Sequence, residues 1–137
     1  MAAIQELLRT EENGSISFGN HTLSEKAKKD DFESGGDVYK VKTYGALTKL
    51  EKNGLFLYES VPGTSVEDFS EDEKGVSFSV CGNSDAQITL GMKDDTEYEV
   101  FVDDASIGKM STNLGGKLSL SVELEEKGEI KIRVQEA

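Results

Sequence analysis

His21 and Cys81 are the only histidine and the only cysteine of the chain. A zinc site built from imidazole and thiolate would have two ligands here, short of the four that close a structural site. No intrachain disulfide is available, so the fold does not depend on an oxidising compartment. A Cys–His nucleophile pair would need the fold to bring positions 21 and 81 together. A Ser–His–Asp triad would lack the Gly-x-Ser-x-Gly turn that exposes a nucleophile. The plainer readings are a strand-end surface residue for His21 and a small buried hydrophobe for Cys81, which follows Val80 on an alternating stretch.

Carboxylates are plentiful. A glycosidase needs two of them within roughly 5–10 Å of each other, and with 27 acidic residues some pair meets that distance by chance. Asp94-Asp95 and Asp103-Asp104 resemble a calcium or catalytic set. They bracket an extended stretch of about eight steps, which at roughly 3.3 Å per residue separates them by about 25 Å. Each pair is better read as a turn-former, and neither fits the Asp-x-Asp-x-Asp-Gly calcium loop. No catalytic residue and no cofactor is assigned. No Gly-x-Gly-x-x-Gly and no Gly-Lys-Ser/Thr loop is present to cradle a phosphate. The sequons Asn13-Gly14-Ser15 and Asn20-His21-Thr22 matter only in a glycosylating pathway.

The aromatic residues offer one binding reading. Phe56 and Tyr58 are spaced to share a strand face, opposite Leu55 and Leu57, and Tyr44 lies near a loop. Flat rings stack on sugars, so Tyr44, Phe56 and Tyr58 are the candidate ligand-binding residues, with core packing as the competing role.

These side chains must be carried by strands. Leu118 to Leu124 and Ile130 to Val134 alternate apolar and polar residues without a break. Val76 to Val80, Ala86 to Met92, Tyr98 to Val102 and Ser106 to Thr112 follow the same style. Period-2 alternation makes a sheet with one greasy face, which needs a covering layer. Six short strands separated by turn signals predict a sandwich or barrel. Asn13-Gly14 predicts a hairpin joining Ile4 to Arg9 with Ser15 to Gly19, extended by Asn20 to Leu23. Ser24 to Gly36 reads as a solvated loop and Asp37 to Tyr44 as a half-buried strand. Asn53-Gly54 predicts a second hairpin. Leu55 to Tyr58, apolar at every position, predicts a strand covered on both faces. The run from Glu67 to Glu73, with Phe69 inside it, reads as an acidic connection. Val61-Pro62-Gly63-Thr64 is the expected boundary between an N-terminal hairpin region, 1–62, and a β-sandwich, 63–137.

With 137 residues, 36% of them hydrophobic and patterned, the chain is long enough to build a core. Its net charge of −12 disfavours nucleic acid and anionic membrane as partners. No window approaches the roughly 20 apolar residues of a membrane span, and no signal-peptide pattern opens the chain, so a cytoplasmic protein is expected, with secretion after removal of a leader as the alternative.

Asp37-Val38-Tyr39-Lys40-Val41-Lys42-Thr43, Lys49 to Gly54, Leu57-Tyr58-Glu59-Ser60-Val61-Pro62-Gly63-Thr64 and Asp94 to Val102 resemble segments of a family of small uncharacterised all-β proteins from anaerobic gut bacteria of the Firmicutes. Some members carry the label endosialidase. The resemblance implies a source but transfers no catalytic residue. A sialidase's arginine cluster has no counterpart here, where Arg9 and Arg133 are the only arginines.

The expectation is therefore an all-β chain, an Ig-like or jelly-roll β-sandwich with an N-terminal β-hairpin region. Its expected role is a non-catalytic binding or assembly module, with a homo-oligomer or a glycan as partner. The alternative is a carbohydrate-binding or glycan-processing accessory protein.

Overall fold

A computed structural model describes all of residues 1–137. Thirteen strands form two antiparallel sheets, and no residue is helical. The strands are β1 (Leu8–Thr10), β2 (Ile16–Phe18), β3 (Ala27–Ser34), β4 (Asp37–Tyr44), β5 (Leu47–Lys52), β6 (Leu55–Val61), β7 (Ser65–Asp72), β8 (Gly75–Cys81), β9 (Ala86–Gly91), β10 (Glu97–Val102), β11 (Ala105–Ser111), β12 (Lys117–Val122) and β13 (Ile130–Glu136). The seven-stranded sheet runs β1-β2-β7-β8-β13-β10-β11 and the six-stranded sheet β12-β9-β6-β5-β4-β3. They pack face to face as a β-sandwich around one cluster of 25 buried apolar residues.

Alternation makes the layers. Val76, Phe78 and Val80 of β8 and Ile130, Ile132 and Val134 of β13 meet Ala86, Ile88 and Leu90 of β9 and Leu118, Leu120 and Val122 of β12, all buried. Each of these side chains larger than Ala86 contributes about 1.5–3 kcal/mol when fully withdrawn from water, so the interior holds the sheets together and the outer faces are left to other uses. At the centre, the rings of Phe18 and Tyr58 meet edge-on at 5.1 Å, and Phe69 stacks on Phe78 at 5.4 Å.

Two-residue turns close the hairpins where the sequence supplies residues that tolerate positive φ. Gly35-Gly36, Asn53-Gly54 and Asp103-Asp104 each have positive φ at both central positions, the type I′ geometry that matches strand twist.

Several expectations need correction. Ile4 to Leu7 is a turn and β1 begins only at Leu8; Leu7 takes φ 70°, which ends any extension toward Ile4. Asn20 to Leu23 is a loop, its Asn20 carboxamide accepting from the Thr22 amide at 3.0 Å. Ser24 to Gly36 is largely the edge strand β3, and the acidic run is strand β7. Both carry a β-bulge, at Asp30-Asp31 and around Asp68, that breaks the two-residue period, so Phe32 and Phe69 fall one position out of step. β6 is central in its sheet but is covered on one face only: on the other, Phe56 and Glu59 are half-exposed and Val61 is 54% exposed. Finally, β2 pairs with β7 and β6 with β9, so residues before and after Pro62 share both sheets and one core. The division at 62/63 gives way to a single layered unit.

Candidate functional site

The residues with the most reactive chemistry are built into the fold. His21 Nδ1 lies 2.7 Å from Ser65 Oγ, and that oxygen also accepts from the His21 amide at 3.3 Å. Partial burial lowers the imidazole pKa, favouring the neutral ring. This is a hydroxyl–imidazole pair, yet Ser65 has no exposed surface, so no substrate reaches its oxygen. Cys81, opposite Ser65 across the β7–β8 pair, is buried, and burial pushes its thiol up, away from the reactive thiolate. The aspartate pairs lie at the two ends of β10. Asp103 accepts from the Lys131 amide at 2.9 Å and takes positive φ, the work of a turn residue. No group of three or more His, Cys, Asp or Glu side chains comes together in a metal-binding arrangement.

The three aromatic candidates do not share a face. Leu57 is the extra residue of a bulge against β5, so Tyr58 pairs with Leu50 and Phe56 with Glu51. Tyr58 thereby turns inward and has no exposed surface. Its hydroxyl and that of Ser60 each lie 2.7 Å from Thr64 Oγ1, inside a buried chain that continues through Thr48 to Thr43. Burial raises the Tyr58 phenol well beyond the usual tyrosine range. Phe56 and Tyr44 remain on the outer face of the six-stranded sheet, both half-exposed. By strand spacing and register they stand roughly 16 Å apart.

Between them lies the feature that sequence reasoning missed. Lys28 on β3, Lys42 on β4 and Lys49 on β5 are direct cross-strand partners, forming a row of three. Lys42 flanks the buried Val41 and Thr43, Lys49 flanks the buried Thr48 and Leu50, and Lys28 is exposed in register with Lys42, so the row points outward. Lys40 stands two residues along β4, and the Lys26 ammonium lies 5.8 Å over the Tyr44 ring. Lys117 lies 4.9 Å over the Phe56 ring on the same face. Like charges directly opposite one another on adjacent strands are destabilising. Lys26 and Lys28 most strongly, then its own partial burial, then Lys49 and Lys40, push the Lys42 pKa below that of an ordinary lysine.

None of Lys26, Lys28, Lys40, Lys42 and Lys49 belongs to any of the six ion pairs of the molecule. Glu51 and Glu59 stand opposite Lys40 and Lys49 and bound the cluster on one side, without coming within ion-pair distance. In a chain of net charge −12, five such lysines on one face run against the overall sign of the charge. The polar positions of β4 and β5 announce Lys40, Lys42 and Lys49; the row appears only once β3 is recognised as a strand in register with them.

A second feature is a cleft where the two sheets open at their hairpin end, about 290 Å³, lined by Asn13, Ser34, Tyr39, Phe69, Lys52 and Glu71 among others. Lys52 Nζ lies 3.0 Å from Glu71 and 3.6 Å from Asp37. Burial alone would lower its pKa, but the hydrogen bond and charge of Glu71 outweigh that and leave it raised. This lysine is already paired, and its bridge between β5 and β7 ties the two sheets together at the mouth of the cleft.

The class that this architecture defines is the antiparallel β-sandwich; no helix is long and apolar enough to cross a membrane. Compared with protein-family models, curated proteins and solved structures, the chain matches none.

Proposed function

We propose that this chain is a non-catalytic binding module of β-sandwich type, and that the outer face of the six-stranded sheet is its binding surface. A glycan is the ligand class that the face suits. The observation that carries the reading is the Lys28–Lys42–Lys49 row: three like charges in direct register, none with an ion-pair partner, between two half-exposed aromatic rings. Packing does not account for the row, since these side chains lie outside the core. A ligand that brings negative charge and flat apolar ring faces satisfies both the lysines and the aromatics.

The test is a printed array of neutral and acidic glycans probed with the labelled protein. Signal on a subset of sugars, reduced by Tyr44→Ala and by Phe56→Ala, supports the reading. Silence on every glycan at millimolar density ends it. Tyr58→Ala is unsuitable as a probe, because that ring belongs to the core.

Assembly is a second reading, and the charge distribution favours it specifically. The lysine face of one copy complements the acidic remainder of another, a head-to-tail contact that builds rings or filaments. Light scattering distinguishes it: a mass that rises with protein concentration at low salt and falls to the monomer at high salt supports assembly, whereas a monomer throughout removes it.

A further inference from the structure

Resting on the reading of that face as a glycan-binding surface, we propose that its ligand is an acidic polysaccharide, a linear chain bearing carboxylates or sulfates. The chain lies across strands β3, β4 and β5 over Lys28, Lys42 and Lys49, between Tyr44 and Phe56.

Three observations converge on this chemistry. The first is charge. The row has Glu59 in register beyond Lys49, but no carboxylate comes within ion-pair distance of its three ammonium groups, so an anion from outside would relieve their mutual repulsion. The second is spacing. Neighbouring strands lie about 4.8 Å apart, so the three lysines rise from the sheet at intervals comparable to the length of one sugar ring. An extended chain with an acidic group on successive rings or on alternate rings meets two or three of them at once. The third is the ring pair. Tyr44 and Phe56 flank the lysines on the same face, and each already has an ammonium over its ring, Lys26 and Lys117. A sugar that displaces the ammonium from the ring face stacks there and pairs its acidic substituent with the displaced lysine.

Other polyanions fit less well. Duplex nucleic acid carries a charge every 1.7 Å or so and is broad, so it would press phosphates against Glu51 and Glu59 and against a molecule of net charge −12. An acidic peptide would be expected to seat apolar anchors in a pocket or to add a strand at an edge. The lysine row stands on an open sheet face with no pocket for an anchor, and the edge beside it, β3, is charged and bulged at Asp30-Asp31, which discourages an added strand.

The experiment is isothermal titration with four probes: polygalacturonate, dextran sulfate, neutral dextran and poly-L-glutamate, each in 50 mM and 300 mM salt. A 20-base-pair DNA duplex serves as a fifth. The proposal expects binding of one or both acidic polysaccharides, weakened about tenfold or more by the salt step, as ion release requires. Lys28→Gln combined with Lys42→Gln should lower the affinity by about tenfold or more, and Tyr44→Ala by several-fold, while Lys127→Gln in the exposed β12–β13 loop leaves it unchanged. Circular dichroism of each variant checks that the fold persists. Equal binding of neutral dextran, unaffected by the lysine variants, would overturn the acidic ligand and leave the glycan-binding reading standing. Poly-L-glutamate or DNA binding as tightly as polygalacturonate would overturn recognition of a sugar. No heat with any polysaccharide, together with a silent array, would sink both.

Discussion

Tyr58 is worth more to the fold than its ring alone. Its hydroxyl feeds a chain of buried hydroxyls, Ser60, Thr64, Thr48 and Thr43, that joins β6, the 61–64 turn, β5 and β4 without leaving a buried side-chain polar atom unpaired. Tyr58→Phe removes one member and leaves Thr64 bonded to Ser60, and urea unfolding should show a loss of about 1 kcal/mol. Tyr58→Ala also empties the aromatic centre, and the loss should reach about 3–5 kcal/mol. A Tyr58→Ala variant as stable as the parent would contradict the burial described above. His21 gives a prediction in pH. Its folded pKa lies below the ordinary 6.5, so below about that pH the unfolded chain takes up the proton more readily than the folded one. The stability that the neutral ring contributes is complete above 6.5 and is lost as pH falls toward the lower folded value. Urea midpoints at pH 7.5 and 5.5 should therefore separate for the parent and draw together for His21→Gln. Glu11, lowered first by its hydrogen bond from Ser17 and then by Arg9, acts in the same direction only below its ordinary 4.5, outside that interval.

At the scale of the element, strands were readable wherever the two-residue period runs unbroken. β8, β9, β10, β12 and β13 alternate cleanly and lie where their alternation puts them. The Asn53-Gly54 turn is equally plain, because its two residues accept positive φ. The elements that escape are those whose bulges insert one residue. In β7, Val66 and Phe69 are three apart and both buried, which reads as noise in a strand pattern until Asp68 is placed in its left-handed conformation. In β6 the inserted Leu57 sends Phe56 and Tyr58 to opposite faces and dismantles the aromatic platform. The lysine row was hidden for the same reason, since β3 carries a bulge at Asp30-Asp31 and so many charges that it passes for loop. Such charges suit an edge strand, where they discourage pairing with another chain. Asp31 holds φ 55° there, a conformation that glycine adopts more readily. Asp31→Gly should therefore raise the unfolding free energy by roughly 0.5–1 kcal/mol. A loss of stability would mean that the bulge is not as described. Gly63 offers the opposite case. A Cβ there would fall 1.9 Å from the Tyr44 carbonyl oxygen, so Gly63→Ala should destabilise by about 2 kcal/mol or more and displace the end of β4.

Over the whole molecule, charge and packing are divided between faces. The interior is apolar apart from the hydroxyl chain and a few further buried polar side chains, Ser15, Ser17, Asn20, Ser65 and Thr112, all of them satisfied. The outer face of the six-stranded sheet gathers lysines in register. That arrangement costs stability, so its removal should return some. Lys42→Gln should raise the thermal midpoint at low salt, and the gain should shrink as salt screens the row. A midpoint that falls, or a gain indifferent to salt, would mean that the lysines do not repel one another as placed.

If ligand meets this protein on the outer face of the six-stranded sheet, a backbone-amide NMR titration with oligogalacturonate reads that contact residue by residue. Shifts should be confined to the β3–β4–β5 segment around Lys28, Lys42 and Lys49 and to the neighbourhoods of Tyr44 and Phe56. Shifts centred instead on the Lys52–Glu71 cleft or on the β11 edge, with the lysine row silent, would contradict it.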